Sequence, residues 1–405
     1  MAYWYADFDT GGDDGAEVIV AQPQRYRVVL LGFKLVPLEV DMSIDFDASR
    51  WGNVKDVWSK WWAGELKRPI IAVELRGRDP GRPMPAAPLL GQDTCADLSI
   101  PAEAIVDRID WELSRKIYLG DAFPTYEMGA FGPGVLAAML GGRLDNSTGR
   151  VWFHPEKQVP IKDMHFEYNA SVADNVWLRR IKELCAAMMK RWQGQVLVAM
   201  TDLGGNLDIL STFWPSEELL LLLYDEPEEV KRVLWEVHEV WHRVFADIHG
   251  ILQPMNPGYT AWCWMYSELP YYMLQCDFCY MISPEMFGEF VLPELVASAK
   301  RLGRSCYHLD GKGELPHLDA LLAVPEIGGV QWVPGAGAPD GSHWPELFER
   351  IFAAGKRTQI SGSLPAVYEM LKRIGIGPGV HLPRAFPKES ELYAREWVDK
   401  FMDWR

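Results

Sequence analysis

Ser-Cys-Tyr-His-Leu-Asp-Gly-Lys-Gly, residues 305–313, is a strand-like segment that runs into a glycine-containing loop. Side chains alternate between the two faces of a strand, so Cys306, His308 and Asp310 are predicted to share one face. Three groups that can ligate a metal or transfer a proton would then line up toward the strand's carboxyl end, where α/β barrels place their active sites. The alternative is a buried histidine, an inert core cysteine and an aspartate that caps the following helix.

Outward from this segment, strand-like and helix-like stretches alternate along most of the chain. Strands are predicted at 69–75, 116–119, 195–200, 259–264, 305–309, 329–333, 357–360 and 379–382, and residues 273–282 are read as strand or loop. Alternating strands and helices imply a parallel sheet, and about eight such units imply a closed barrel. We therefore expect residues 46–405 to form one α/β domain, a (β/α)8 TIM-type barrel.

Residues 1–45 differ from this pattern and are predicted to be an N-terminal extension. An acidic, glycine-rich start precedes an alternating run at 26–33 and a further run at 36–40, which together predict one or two strands or a hairpin. Strands in such an extension could pair with a second subunit, so a homodimer is one expected assembly. A tryptophan-rich helix is predicted to follow at 54–66.

The composition excludes several classes of function. The 405 residues are 48% hydrophobic, enough for a large core, and the formal net charge of −16 disfavours nucleic acid and anionic membrane surfaces as partners. Six cysteines in a chain of this length do not form a disulfide framework. The N-terminus lacks the pattern of a secretory signal, and no apolar run is long enough to span a bilayer. We expect a cytoplasmic protein with a small-molecule substrate.

Three segments together resemble a known superfamily. They are Asp-Leu-Gly-Gly-Asn-Leu-Asp-Ile-Leu at 202–210, Gln-Cys-Asp-Phe-Cys-Tyr-Met-Ile-Ser-Pro-Glu-Met-Phe at 275–287, and Tyr-His-Leu-Asp-Gly at 307–311. Over roughly residues 50–405 the chain resembles the uroporphyrinogen decarboxylase-like superfamily, which includes the decarboxylase and corrinoid-dependent methyltransferases. The resemblance implies a (β/α)8 barrel, in agreement with the count of strand–helix units.

The decarboxylase branch of the superfamily binds substrate carboxylates through arginines in the loop after the first strand. The corresponding loop here contains Arg76, Arg78 and Arg82 without that branch's Arg-Gln-Ala-Gly-Arg motif. These side chains could hold a carboxylate or a phosphate through paired hydrogen bonds. They could equally belong to a solvated loop.

The methyltransferase branch resembles the 305–313 segment more closely. The resemblance implies a zinc ion held by a His-x-Cys pair and a later cysteine, and a corrinoid supplied by a partner protein. This chain has His308-Leu309-Asp310 at that position, and no cysteine follows Cys306. Cys306 itself, or Cys276 or Cys279, is then the candidate replacement, because a Cys/His/Asp set is adequate for zinc.

Other candidates lie in or just after predicted strands: Asp202 and Asp277 as catalytic carboxylates, and Trp262, Trp264, Gln331 and Trp332 as substrate-binding residues. A carboxylate at a barrel mouth can orient a substrate or act as an acid or base. An aromatic wall there suits a quaternary ammonium head or the face of a sugar. The alternative role for Asp277 is to cap the helix that begins near Ser283, a position that Ser283 itself caps better. Core packing explains the tryptophans equally well.

These observations favour a methyltransferase in which His308 and Asp310, with Cys306, hold zinc and Asp277 and Asp202 position the methyl donor. The first alternative is a metal-independent decarboxylase, with Asp277 or Asp310 as the acid and Arg76 and Arg78 as carboxylate clamps. The second is a barrel that binds a ligand or a sugar without catalysis.

Overall fold

The computed structural model describes residues 43–253 and 255–405, apart from the side chain of residue 216, and the backbone of three short N-terminal strands. The strands are β1 (Trp4–Asp7), β2 (Tyr26–Arg27), β3 (Lys34–Glu39), β4 (Ile70–Arg76), β5 (Lys116–Gly120), β6 (Thr125–Tyr126), β7 (Gly142–Asp145), β8 (Trp152–Pro155), β9 (Leu197–Val198), β10 (Tyr271–Leu274), β11 (Arg304–Asp310), β12 (Gly329–Val333), β13 (Arg357–Gln359) and β14 (Val380–Pro387).

Helices separate most of these strands. They are α1 (Arg50–Ala63), α2 (Ala102–Ser114), α3 (Leu136–Met139), α4 (Ala170–Ala173), α5 (Val176–Trp192), α6 (Asn206–Phe213), α7 (Ser216–Asp225), α8 (Pro227–Leu252), α9 (Pro284–Met286), α10 (Leu292–Arg301), α11 (Leu318–Leu322), α12 (Pro345–Ala353), α13 (Leu364–Ile374) and α14 (Glu391–Met402). Short 3-10 segments at Asp277–Met281 and Lys312–His317 follow β10 and β11.

The main sheet has seven strands in the order β10-β11-β12-β13-β14-β4-β5. Neighbouring strands are parallel from β10 to β4, which confirms the predicted α/β architecture. A separate parallel pair is formed by β6 and β9, and β7 and β8 form a hairpin. Within the described residues no ladder joins β10 to β5, so the sheet is open and the predicted closed barrel is not confirmed.

The segment 259–264, predicted to be a strand, does not join the sheet. The backbones of Tyr259 and Ser267 hydrogen-bond to each other in both directions, at 2.8 and 2.9 Å, and so turn this segment back on itself. Trp264 has φ 58°, a left-handed conformation incompatible with a continuous strand. The strand next to β11 is instead β10, which lies at the start of the 273–282 region.

The predicted strand at 116–119 is present as β5 but runs antiparallel to β4. Helix α2 returns the chain to the carboxyl end of β4, where the amides of Gly77 and Arg78 donate to the carbonyl of Arg115 at 3.1 and 2.9 Å. A strand that starts at this end can only run back along β4. Counting strand–helix units along the sequence cannot predict this change of strand direction.

Helix α1 closes the opposite, amino-terminal end of the sheet. Trp58 and Trp61 are buried on it, and the indole of Trp61 donates to the carbonyl of Val380, the first residue of β14, at 3.3 Å. Arg357, the first residue of β13, donates to the carbonyl of Trp61 at 2.8 Å. Access to the interior is therefore left to the carboxyl edge. The helix begins earlier than the predicted start at residue 54.

The strands β1, β2 and β3 form an antiparallel sheet in the order β1-β3-β2. The rest of the two predicted runs, 28–33 and residue 40, lies outside the described residues, and the division at 45/46 and the homodimer stay predictions. In the part of the chain that the structure describes, no helix combines the length and apolar character needed to cross a bilayer.

Candidate active site

Three titratable side chains converge at the carboxyl edge of the main sheet, and we call Asp277, His308 and Asp310 the Asp277 group. One ligand atom from each lies within 4.8 Å of the others, and Nε2 of His308 is 3.9 Å from Oδ2 of Asp310. The two-residue repeat of β11 puts His308 and Asp310 on one face, and Asp277 opens the 3-10 segment after the neighbouring β10. Among the described residues, this is the one group of His, Cys, Asp and Glu side chains with a metal-binding arrangement.

His308 is held by two neighbours. Its Nδ1 lies 2.6 Å from Oε1 of Gln331, the residue that pairs with it on β12. The ring of Trp262 stands perpendicular to the imidazole, with the centroids 4.8 Å apart and an interplanar angle of 89°. Gln331 and Trp262, both predicted to bind substrate, are thus placed against His308, and the side chain of His308 is 14% exposed.

Cys306 and Trp332 do not join this group. Cys306 shares the face of His308, but it lies two residues deeper, about 7 Å along the strand. Its Sγ contacts Sδ of Met265 at 3.8 Å, and burial raises the pKa of the thiol. Trp332 follows Gln331 and therefore faces the other way, where its ring meets Trp344 edge-on at 5.1 Å. The structure gives neither residue the role proposed for it from the sequence.

Asp202 lies beside the Asp277 group in a hydrogen-bonded pocket. Its Oδ1 accepts from the amide of Gly204 at 2.9 Å, from the hydroxyl of Tyr272 at 3.2 Å and from Nε2 of Gln275 at 3.3 Å. Burial raises the pKa of Asp202 to about 6, and the charge of Asp277 adds to the shift. A carboxyl group of this kind can take up and release a proton near neutral pH.

Asp208 holds the turn that presents Asp277, a role that the sequence analysis did not assign. Its two carboxylate oxygens accept from the amides of Asp277 and Phe278 at 3.1 and 2.7 Å. Burial, together with the charge of Asp277, raises the pKa of Asp208 to about 8. Gly205 permits this contact, because a Cβ at that position would collide with the carbonyl of Gln275 and the carboxylate of Asp208. The Gly-Gly pair before α6 was the available signal.

The other face of β11 carries a second, enclosed set of titratable groups. We call it the outer-face cluster: Cys276, Cys279, Tyr307, Glu314 and His317. The hydroxyl of Tyr307 lies 3.5 Å from both Sγ of Cys279 and Oε2 of Glu314, and Nε2 of His317 donates to the carbonyl of Cys279 at 2.9 Å. A hydrogen bond from Cys276 lowers the pKa of Cys279 to about 6, whereas burial raises that of Glu314 to about 11. Neither cysteine therefore replaces the missing ligand of the Asp277 group.

A cleft of about 900 Å³, the Asp277 cleft, borders this region. Its lining includes Asp277 and Asp208, and the β7–β8 region contributes Arg150 and His154. This volume accommodates a small organic molecule next to Asp277.

A second cleft, the Arg76 cleft, has a volume of about 660 Å³ and is lined by Arg76, Trp264 and Glu127 among others. Arg76 is 57% exposed and lies 3.7 Å from the buried carboxylate of Glu74. Burial raises the pKa of Glu127 to about 8, and its Oε1 has no hydrogen-bond partner among the described residues. Trp264 donates to Glu127 from its left-handed backbone, a strain typical of functional sites.

Arg78, the second predicted clamp, points away from this cleft. Its Nη1 donates to the carbonyls of Ser43 and Ser114 at 3.0 and 3.2 Å, which ties the loop after β4 to the chain before α1 and to the end of α2. Arg82 pairs with Asp110 at 2.5 Å. Of the three arginines in this loop, the structure places Arg76 in a cleft and the other two in structural contacts.

The fold is similar to that of a solved protein. A methyltransferase from Methanosarcina mazei superposes with a TM-score of 0.55 and 12% sequence identity, over 86% of this chain and 99% of that one. No family model matches the sequence. A search of curated proteins gives no match either. The likeness in structure thus shows a shared fold at a level of identity where sequence carries little signal.

Proposed function

We propose that the protein is an enzyme of the uroporphyrinogen decarboxylase-like superfamily that transfers a methyl group from a small methylated substrate or from a corrinoid on a partner protein. The observation that carries the proposal is the convergence of Asp277, His308 and Asp310 at the carboxyl edge of a parallel sheet. The fold shared with a methyltransferase supports it. Because one fold hosts many reactions, the chemistry has to come from the site.

The Asp277 group fits zinc. One imidazole nitrogen and two carboxylates form a nitrogen–oxygen donor set that zinc accepts. Burial raises the pKa of Asp277, and the carboxylate of Asp310 opposes its ionisation further, a repulsion that a cation between them would remove. When bound, zinc would supply the Lewis acidity that keeps a methyl acceptor deprotonated at neutral pH.

The remaining residues bind the reactants and orient them at the Asp277 group. In this proposal Asp202, with a pKa of about 6, holds the proton that substrate or acceptor releases. Trp262 bounds the space beside His308 and excludes water from it. The Asp277 cleft admits the methyl donor next to Asp277. Arg76 and Trp264 line the separate Arg76 cleft, where they bind an anionic or apolar group.

The first test is metal analysis of the purified protein. Wild type is expected to hold stoichiometric zinc after dialysis, and His308→Ala is expected to lose it because the only imidazole ligand is removed. His165→Ala is the matched control, since His165 is 66% exposed on the surface. A folded, metal-free wild type that takes up no added zinc contradicts the proposal.

The second test is the reaction. Methylcobalamin and a small thiol are offered to the zinc-loaded protein, and the loss of the methyl–cobalt absorbance is followed. Wild type is expected to accelerate the loss and His308→Ala is not. Equal rates of methyl–cobalt loss in the two proteins would mean that the zinc held by His308 does not promote methyl transfer.

A metal-independent decarboxylase is the second candidate, and the Arg76 cleft favours it. An exposed guanidinium lies there beside Glu127, whose pKa of about 8 keeps it protonated at neutral pH, so a carboxylate clamp and an acid share one cleft. Since Arg78 is bound elsewhere, Arg76 is left as the clamp. This reading predicts carbon dioxide release from a carboxylated substrate that disappears in Arg76→Gln and survives a chelator.

A further inference from the structure

Four polar side chains form one layer across neighbouring strands of the main sheet. His308 of β11 pairs in register with Gln331 of β12, Gln331 with Gln359 of β13, and Gln359 with His381 of β14. Residues in register on parallel strands project to the same face. We call this row, from His308 to His381, the polar ladder. Gln331, Gln359 and His381 are 8%, 7% and 0% exposed, so bulk water satisfies few of their polar atoms.

Hydrogen bonds join the members of the ladder. Oε1 of Gln331 lies 2.6 Å from Nδ1 of His308, and Nε2 of Gln331 donates to Oε1 of Gln359. Nε2 of Gln359 donates to the backbone carbonyl of Cys263 at 2.7 Å and lies 3.1 Å from Nδ1 of His381. Both primary amides therefore use their oxygen on the His308 side and their nitrogen on the His381 side.

The direction of the ladder follows from the Cys263 carbonyl. A carbonyl only accepts, so the amide nitrogen of Gln359 has to face it and the amide oxygen of Gln359 has to face Gln331. Gln331 must then present its nitrogen to Gln359 and its oxygen to His308. An oxygen that only accepts requires a proton on Nδ1 of His308.

The far end is compatible with this direction. Burial lowers the pKa of His381 to about 3, so its ring is neutral and its Nδ1 can accept from Gln359. Reversing either amide would leave two oxygens or two NH₂ groups facing each other in a buried layer, which costs the hydrogen bond and the desolvation of both groups.

We infer that the polar ladder holds His308 as the Nδ1–H tautomer, so that Nε2, the nitrogen 3.9 Å from Asp310, keeps its lone pair directed to the Asp277 group. Gln331 and Gln359 are then positioning residues, and Gln359 acts on His308 without touching it. An unprotonated Nε2 is what a histidine needs to ligate a cation. The use of this lone pair for zinc rests on the proposed function, whereas the tautomer does not.

The test of the tautomer uses the metal-free protein. Histidine labelled with ¹⁵N is incorporated, the His308 signals are assigned by their loss in His308→Ala, and the nitrogen shifts report which ring nitrogen carries the proton. Spectra are recorded at a pH high enough for the imidazole to be neutral, and wild type is then expected to show a protonated Nδ1 and an unprotonated Nε2. A neutral ring that carries its proton on Nε2 overturns the inference, whatever the protein does with metals.

Two substitutions at Gln359 test whether this residue influences the tautomer of His308 through Gln331. Gln359→Leu removes the acceptor for Gln331, so that amide is free to reverse, and His308 is expected to become a mixture of tautomers. Gln359→Glu, buried and protonated, still donates to Cys263 through its hydroxyl and accepts from Gln331 through its other oxygen, so the wild-type tautomer is expected to persist. If Gln359→Leu does not fold, Gln331→Met, which removes the acceptor of His308 itself, still tests whether the ladder sets the tautomer. An unchanged His308 tautomer in folded Gln359→Leu overturns the action of Gln359, and an unchanged tautomer in folded Gln331→Met overturns the ladder's hold on His308.

Zinc titration gives the second readout. Loss of a partner behind a metal-binding histidine weakens metal affinity by about 10–100-fold, and Gln331→Met is expected in that range. Gln359→Leu is expected to fall between Gln331→Met and wild type, and Gln359→Glu close to wild type. Wild type that has the Nδ1–H tautomer but takes up no zinc would sink the proposed function and leave the ladder intact. If wild type binds zinc and Gln331→Met binds it with equal affinity, the ladder has no role in zinc binding.

Discussion

The two faces of β11 carry similar groups in opposite environments. On the inner face, His308 and Asp310 are 14% and 41% exposed and meet Asp277 at the carboxyl edge of the sheet. On the outer face, Tyr307 is fully buried, and beside it Glu314 has a pKa raised to about 11 by burial. Each face gathers at least one carboxyl group and a histidine within one strand's length. Access to solvent, more than residue type, separates a candidate site from a structural cluster.

The largest expected effects come from truncating one side chain on each face of β11, at the adjacent positions 310 and 309. Asp310→Ala removes a ligand from the Asp277 group, so zinc affinity is expected to fall roughly 100-fold or more, beyond the loss of a partner behind a ligand. Its unfolding free energy should change little, because surface substitutions stay within about 0.5 kcal/mol. Calorimetric titration with zinc and urea unfolding measure the two quantities.

Leu309→Ala is the matched variant on the outer face. Leu309 is 0% exposed, so its truncation is expected to lower the unfolding free energy by about 2–5 kcal/mol and leave zinc affinity near that of wild type. The comparison fails if Leu309→Ala abolishes zinc binding in the folded protein, or if Asp310→Ala retains it.

The next effect concerns pH and the outer-face cluster. Glu314 stays protonated in the fold because burial raises its pKa from 4.5 to about 11. Above pH 4.5 the unfolded chain releases this proton and the fold does not, so the stabilisation by Glu314 is lost as pH rises toward 11. The stability advantage of wild type over Glu314→Gln is therefore expected to shrink with pH, by up to about 1.4 kcal/mol per pH unit.

Urea unfolding at pH 6 and at pH 9 checks this difference. Glu369→Gln, at an exposed position on α13, serves as the control and should show no such trend. An advantage that stays constant between pH 6 and pH 9 would mean that Glu314 is ionised in the fold.

The smallest effect is expected from Tyr307→Phe. The substitution removes one hydroxyl that contacts Cys279 and Glu314 at 3.5 Å and keeps the ring in place. The unfolding free energy should fall by about 1 kcal/mol, the usual worth of a hydrogen bond, with zinc affinity unchanged. Loss of zinc in this variant would show that the two faces are coupled rather than separate.

The strand period was enough to predict which face of β11 each residue occupies, but not how deep each residue lies. His308 and Asp310 share a face as expected, whereas Cys306 shares it too and ends against Met265. The same period, applied to β12, separates Gln331 from Trp332, which the sequence analysis had grouped as substrate ligands. The structure divides them, one beside His308 and one against Trp344.

Other features depend on contacts between distant segments and had no local signal. Asp208 and Asp277 are brought together by the close approach of α6 to the end of β10. Glu127 follows β6, a two-residue strand too short for a periodic pattern. The reversal of β5 likewise follows from how α2 returns to β4, which strand–helix alternation does not encode.

The seal that α1 makes at the amino end has a consequence for biosynthesis. The indole of Trp61 bonds to Val380, 319 residues later, and β4 pairs with β14 along its whole length. During translation the contact of Trp61 with Val380 and one of the two edges of β4 therefore stay unmade until nearly the entire polypeptide has left the ribosome. Nascent chains that stall before β14 should be strong clients of chaperones and prone to aggregate.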